Sequence, residues 1–335
     1  MQSIKHENPN IHPIFDEIER FYQAVSEKKN IALIPPVFDY SFQELQELFN
    51  NFAGTDFDFK YTNKPLTIVK LTHRRKKNII VCFSGGKDSL AVVLYYMQAG
   101  YNVYLYHLKH INPPLYDEVD RAKEIAEVLN LPIYIDSIKL SGKHDYVEHP
   151  MKNMIIANGA LQYGIREKIG TNIAFGNYNS STVYDDNFEY CGGDDIETWR
   201  VYERIIRKVI PSFKIHLILS SLADTLDIVC HNKELLELSV SCLGRASMRN
   251  YWHDWVKNKF NITLPKYRCG RCYKCCIEYI YMADHDLQKY SEDYYRYCFN
   301  NLKKNFDAET GIKHNDLEVW DHYFFYDIEE SRCYG

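Results

Sequence analysis

Ser84-Gly85-Gly86-Lys87-Asp88-Ser89 is the stretch whose reading decides this chain. Before it runs Asn78-Ile79-Ile80-Val81-Cys82-Phe83, an apolar series that predicts a buried strand. After it, Leu90 to Gln98 has helical spacing, and Gly100 is placed to end the helix. A strand, a serine- and glycine-rich turn and a helix start together make an anion site. Glycines let a phosphate approach the backbone closely, the first helical amides lack intrahelical acceptors, and the helix dipole favours negative charge. Lys87 adds a mobile cation, Ser84 and Ser89 add hydroxyls, and Asp88 adds a carboxylate able to help hold Mg²⁺ beside phosphates.

The spacing differs from the common P-loop, which places four residues between its first glycine and a Gly-Lys pair; here Gly85 and Gly86 are adjacent. The hexapeptide instead resembles the SGGxDS loop of the PP-loop, or N-type, ATP pyrophosphatases. That resemblance implies cleavage of ATP between its α- and β-phosphates. It assigns nucleotide binding to Ser84, Gly85, Gly86, Lys87, Asp88 and Ser89, and catalytic roles to Lys87, Asp88 and Ser89. The plainer alternative is an ordinary strand–helix turn.

The chain has 335 residues, room for one large α/β domain and a smaller one, and 46% of them are apolar, enough for a substantial core. A net charge of −5 does not indicate a broad electrostatic grip on nucleic acid. The basic run His73-Arg74-Arg75-Lys76-Lys77 reads as a solvated lead-in to the first strand. No apolar run reaches the ~18 residues that span a membrane. The first residues have no apolar signal segment. The expectation is a cytoplasmic protein without a membrane partner, whose ten cysteines are thiols or metal ligands.

From Asn78 onward, strand and helix patterns alternate. Asn102–Leu108 reads as a strand, Asp117–Leu129 as an amphipathic helix, Ile133–Ile135 as a short strand, Met151–Ile169 as a helix and Asn172–Phe175 as a strand ending at Gly176. This alternation predicts an α/β fold with a parallel doubly wound sheet and right-handed crossovers. Three segments follow from it: an accessory extension over 1–75, a nucleotide-binding domain over 76–220 and a helical region over 221–335. The extension carries two candidate helices, Pro13–Lys28 and Ser41–Asn51, and a candidate strand, Leu66–Leu71. In such sheets ligands bind at the C-terminal strand ends, by the point where the strand order reverses. Tyr178 to Thr198 interrupts the alternation with a long polar, aspartate-rich loop, read as facing substrate or metal.

Cys269-Gly270-Arg271-Cys272-Tyr273-Lys274-Cys275-Cys276 is the second signal. Cysteines at 269, 272 and 275 can converge on one ion, and Zn²⁺ takes four ligands, for which Cys242 is the best remaining candidate. Cys276 is read as core, since adjacent side chains diverge; Cys82, Cys191, Cys230, Cys298 and Cys333 are read as small packing residues. Four thiolates also suit an iron–sulfur cluster. Trp252, His253 and Trp255 lie on a candidate helix, Arg245–Phe260, and are read as packing; His107 and His110 lie near the end of the second strand, which places His110 within reach of the crevice, and both are read as satisfied structural histidines.

The order of SGGKDS, Tyr116–Ala126, Met151-Lys152-Asn153, Gly176-Asn177, Ala223–Val229, Ser241-Cys242 and the CxxCxxC ribbon is similar to the 7-cyano-7-deazaguanine synthase family, over about residues 78 to 285. Such an enzyme uses ATP to activate a carboxylate of 7-carboxy-7-deazaguanine, and ammonia then gives an amide and finally a nitrile. The resemblance implies ATP, Mg²⁺ and Zn²⁺ as cofactors, with zinc on Cys242, Cys269, Cys272 and Cys275. It implies a carboxylate substrate, an amine or ammonia donor, a homodimer and room for a partner protein. Asn153, Gly176 and Asn177 fall at substrate-binding positions. The chain departs from the family after Gly176, where Val183–Gly193 replaces its Tyr-Ser-Gly-Tyr-Pro-Asp-Cys-Arg-like segment, and Asp185, Asp186 and Asp195 become the acceptor candidates. Lys87 keeps open a sulfur-transfer enzyme on tRNA or DNA with an iron–sulfur cluster, or a relative of phosphoadenylylsulfate reductase; a nucleotide-sensing or scaffold module is a third reading.

Overall fold

A computed structural model of the chain describes residues 77–110, 118–139, 152–177, 196–219, 232–239 and 248–320, together with Cys242, 225–226, 228–229 and three short N-terminal strands. Those strands are β1 (Lys5–His6), β2 (Ile31–Leu33) and β3 (Asp58–Lys60). The main sheet continues with β4 (Asn78–Cys82), β5 (Asn102–His110), β6 (Ile133–Lys139), β7 (Asn172–Asn177) and β8 (Lys214–Leu219). Its spatial order is β1-β6-β5-β4-β7-β8; β4 to β8 pair in parallel, and β1 adds antiparallel to β6. β2 and β3 form a separate parallel pair. The candidate helices and strand of the extension lie outside the described residues.

Between the parallel strands run α1 (Lys87–Gln98), α2 (Glu118–Val128), α3 (Lys152–Arg166) and α4 (Ile196–Val209). Alternate residues of β4 explain why the strand is apolar after Asn78. Ile79 and Val81 join the core that α1 and α2 line, while Ile80 meets α3 at Gly164. A strand covered on both faces favours apolar side chains on both; all five residues of β4 are buried, and the one polar residue, Asn78, is satisfied by donating to the Ile169 carbonyl at 3.0 Å and accepting from Asn102 Nδ2 at 2.9 Å. Fully burying an isoleucine or valine contributes about 1.5–3 kcal/mol.

The predicted helix on Asp117–Leu129 forms as α2, with Ala122, Ile125 and Ala126 buried and Arg121 buried beside them. The loop assigned to Tyr178–Thr198 is too long as read. Ile196, Glu197 and Thr198 open α4, because Trp199, Tyr202, Ile205 and Ile206 give that segment a fully buried helical face. Further on come α5 (Lys233–Leu238), α6 (Arg249–Phe260), α7 (Tyr273–Asp284), α8 (Glu292–Thr310) and α9 (Asp316–Trp320). The helix predicted from Arg245 therefore begins at Arg249. Leu235, Ile280, Met282 and Leu302 share one core with Ile79, Val81 and Leu90, so the C-terminal helices pack on the α1–α2 side of the sheet.

Candidate active site and metal centre

In chain order the five parallel strands lie 3-2-1-4-5, so the direction of winding reverses between β4 and β7. A crevice at the C-terminal strand ends forms at such a reversal. The Ser84–Ser89 loop leaves β4 at this point, and Gly176 and Asn177 end β7 beside it.

The loop is held by its own serines. Ser84 Oγ accepts from the Gly86 amide at 3.2 Å and lies 3.2 Å from Ser89 Oγ; Ser89 Oγ donates to the Gly86 carbonyl at 3.0 Å and accepts from the Ser84 amide at 3.3 Å. Both hydroxyls are thereby committed to loop shape. Gly85 has φ +76°, a conformation that suits glycine. Gly86 is the extended N-cap of α1 and has no side chain to occupy the helix start, so the first-turn amides stay open to an anion. Lys87 Nζ lies 2.9 Å and 3.2 Å from the Asp88 carboxylate oxygens. With Lys87 largely buried, a cation and a carboxylate share the mouth of the site.

The strand end behind the loop is also fixed. The Phe83 amide donates to the Tyr106 carbonyl at 2.8 Å, and His107 Nδ1 donates to the Phe83 carbonyl at 2.8 Å. Burial holds the His107 imidazole below its ordinary range, so it serves as a neutral anchor. This is the structural role expected of it. His110 ends β5.

Of the substrate-binding candidates, Asn153 stands in the first turn of α3, and Gly176 and Asn177 end β7. Asp185, Asp186 and Asp195 lie outside the described residues, as do Cys191, Cys230 and Cys333. One residue at the loop escaped sequence reading. Arg121 is 5% exposed, and its Nη2 lies 3.4 Å from the Ser84 carbonyl. Its signal was an arginine four residues before Ile125, on the apolar face of α2.

Cys242, Cys269, Cys272 and Cys275 come together with all four Sγ atoms within 4.8 Å of one another, and Cys269 and Cys275 Sγ are 4.0 Å apart. The ribbon makes this geometry. Gly270 turns at φ +70°, the amides of Arg271 and Cys272 donate to Cys269 Sγ at 3.4 and 3.3 Å, and Cys272 is the N-cap of α7. Four facing thiols cannot all ionise without a cation among them. Cys269 is held far below its ordinary range, first by Cys242, while Cys272 and Cys275 are pushed up, again first by Cys242. The donor set therefore fits a thiophilic cation. Cys276, by contrast, is fully buried in the core, as are Cys82 and Cys298.

A buried ion pair fastens the ribbon to the helices. Arg268 Nε meets Glu278 Oε2 at 2.8 Å with both side chains at most 2% exposed, and Arg268 Nη2 donates to the carbonyls of Leu236 and Ser239 at 3.0 and 3.3 Å. His253 Nε2 donates to the Arg268 carbonyl at 2.6 Å. Trp252 and Trp255 are only half-buried, not core as read from sequence. Arg271 stacks 3.9 Å above the Trp252 ring and so covers it from the solvent side.

Fold and loop together define an α/β protein with a glycine-rich loop and an open helix start at its switch point, and a separate cluster of four cysteines. No family model matches the chain, and no curated protein matches it by sequence. Among solved structures it is similar to the U34-tRNA thiolase NcsA from Methanococcus maripaludis with its [4Fe-4S] cluster, at 18% identity, over 65% of this chain and 75% of that one, with a TM-score of 0.34. An NMN synthetase from Francisella tularensis is similar at 12% identity, over 71% of this chain and 88% of that one, with a TM-score of 0.33. A predicted subunit of tRNA methyltransferase from Methanocaldococcus jannaschii is similar at 22% identity, over 42% and 67%, with a TM-score of 0.26. These are partial likenesses, and what the site can do follows from its own residues. Among the described residues, no helix is long and apolar enough to cross a membrane.

Proposed function

We propose that this chain is an ATP-dependent adenylating enzyme of the PP-loop type, cutting ATP to AMP and pyrophosphate to activate a carboxylate. The observation that carries the reading is the SGGKDS loop seated at the switch point of a 3-2-1-4-5 sheet, with its glycines facing a helix start. In the proposed reaction a carboxylate oxygen of the acceptor attacks the α-phosphorus, the bond to the β-bridging oxygen breaks, and pyrophosphate leaves. The first amides of α1 hold phosphate oxygens, and Lys87 offsets charge on the departing pyrophosphate. Asp88 would hold Mg²⁺, which when bound supplies further charge neutralisation. Ser84 and Ser89 keep the loop in shape. Catalysis on this reading is mainly positioning and electrostatics.

The acceptor we propose is an acid of the 7-deazaguanine type, activated for amide or nitrile formation or for coupling to an amine. The order of motifs from Ser84 to Cys275 supports it, and the altered Tyr178–Asp195 segment argues for an acceptor or amine donor different from the family's. The metal we propose is a structural zinc on Cys242, Cys269, Cys272 and Cys275. One zinc about 2.3 Å from each thiolate separates the sulfurs by roughly 3.8 Å. The close sulfur spacing supports a single ion, since a four-iron cluster inserts four metals between its thiolates and spreads them further.

The test is a screen of 7-deazaguanine acids and other carboxylates for ATP-to-AMP conversion, with mass analysis of products and of bound metal. AMP and pyrophosphate are expected, with most activity lost in Asp88→Asn while its circular dichroism is unchanged. ADP and phosphate as sole products would reject adenylation. Iron with sulfide in place of zinc would turn the reading to sulfur transfer on a nucleic acid. Alanine at Asp185, Asp186 or Asp195 should lower turnover of the true acceptor and leave ATP affinity unchanged.

A further inference from the structure

We propose that Arg121 is the positioning residue that holds the nucleotide loop in its phosphate-receiving shape; this rests on the reading of Ser84–Ser89 as the ATP site. Arg121 comes from α2, 37 residues after Ser84, and is almost wholly buried. Its Nη2 donates to the Ser84 carbonyl at 3.4 Å. A carbonyl engaged in this way does not turn its lone pairs on an incoming phosphate. The contact continues into the next residue. A Cβ on Gly85 would sit 3.1 Å from Arg121 Nε and 3.2 Å from the Ala122 amide nitrogen, so the loop lies directly on this side chain and on the α2 backbone. Gly85 is held at a positive φ against that floor.

Charge gives the residue a second effect. A guanidinium does not deprotonate in proteins, and a buried charge acts over a longer range than an exposed one. Arg121 is thus a fixed cation behind the loop, complementing Lys87, which is paired with Asp88 at its mouth. Glu124, one turn further along α2, meets Lys266 at 2.5 Å, in the segment leading to Cys269. Arg121 touches no reacting atom on this reading, so it sets how well ATP is held rather than how fast the bond breaks.

The experiment compares wild type, Arg121→Gln, Arg121→Lys and, as a control on the exposed side of the same helix, Lys123→Gln. ATP affinity is read by calorimetry, which needs no acceptor, and KM and kcat by AMP formation. Arg121→Gln should weaken ATP binding and raise its KM at least tenfold, with kcat changed less than threefold. Arg121→Lys should recover part of the loss, and Lys123→Gln should match wild type. A folded Arg121→Gln with wild-type ATP affinity overturns the proposal. Should that variant fail to fold, Arg121→Lys decides: KM raised several-fold supports the role and an unchanged KM overturns it. Wild-type protein that binds no ATP would overturn the site reading itself, an outcome distinct from the others.

Discussion

Gly176 and Asp88 meet backbone to backbone: a Cβ on Gly176 would fall 2.5 Å from the Asp88 carbonyl oxygen and 3.1 Å from the Ser89 amide nitrogen. The end of β7 thus abuts the first turn of α1, and the two sides of the switch point are fitted to each other. Gly176→Ala must displace that turn. Overpacking of this kind costs about 1–3 kcal/mol. We expect a moderate fall in melting temperature together with at least a tenfold loss of ATP affinity, read by calorimetry. Wild-type affinity in the alanine variant would show that the α1 start does not contact the nucleotide.

The four-cysteine centre predicts about one tightly held zinc per chain. Cys272→Ser should lose that metal and melt at lower temperature, because metal binding is coupled to folding of the site. Plasma emission analysis and thermal melting, with and without chelator, check both halves. Equal melting of variant and wild type would separate the cysteines from stability.

Glu278 neutralises Arg268 where neither reaches solvent. Glu278→Leu strands the guanidinium, and breaking a buried pair on one side costs about 3–5 kcal/mol. Removing both charges in Arg268→Met/Glu278→Leu should recover most of the loss. Urea unfolding of the single and double variants measures it. A single variant within 1 kcal/mol of wild type, on the order of surface-pair effects, would mean the charge finds another partner.

Acid should destabilise the fold in a defined window. Burial lowers the His216 pKa from 6.5 to about 4, so the folded chain favours the neutral ring. Its contribution is fully present above pH 6.5, shrinks as pH falls because the unfolded chain takes up a proton first, and levels off below about 4. His107 is shifted in the same direction by burial. His216→Asn should flatten the stability profile between those limits, measured by urea midpoints at successive pH values. An unchanged slope would place the titration elsewhere.

The strand–loop–helix at Ser84 was legible because each part carries its own local signal: an apolar run, glycines and then helical spacing. The strands β5 and β7 followed from the same alternation. β8 carries no comparable signal: Lys214-Ile215-His216-Leu217-Ile218-Leu219 is a short apolar run that periodicity cannot divide between helix and strand. In α4, Trp199, Tyr202, Ile205 and Ile206 carry a helical period, but the aspartates before it give the segment the composition of a loop. The CxxCxxC spacing nominated three ligands that do converge, and Cys242 joins them across the intervening α6. What spacing cannot show is contact between distant segments. Arg121 on Ser84 and Arg268 on Glu278 are each ordinary residues until the fold brings them together.

β4 is paired on both sides, by β5 along its whole length and by β7 at Ile80 and Val81, whereas β8 has one partner among the described residues. Backbone amides in a doubly paired, fully buried strand exchange with solvent only when the molecule opens globally, while those at a sheet margin exchange through local fraying. The Ser84–Ser89 loop therefore hangs from a strand protected on both of its edges. Deuterium uptake should mark Ile79 to Cys82 as a slow stretch of the sheet and β8 as a faster one, so that the Ser84–Ser89 loop keeps its support even as the margin of the sheet breathes.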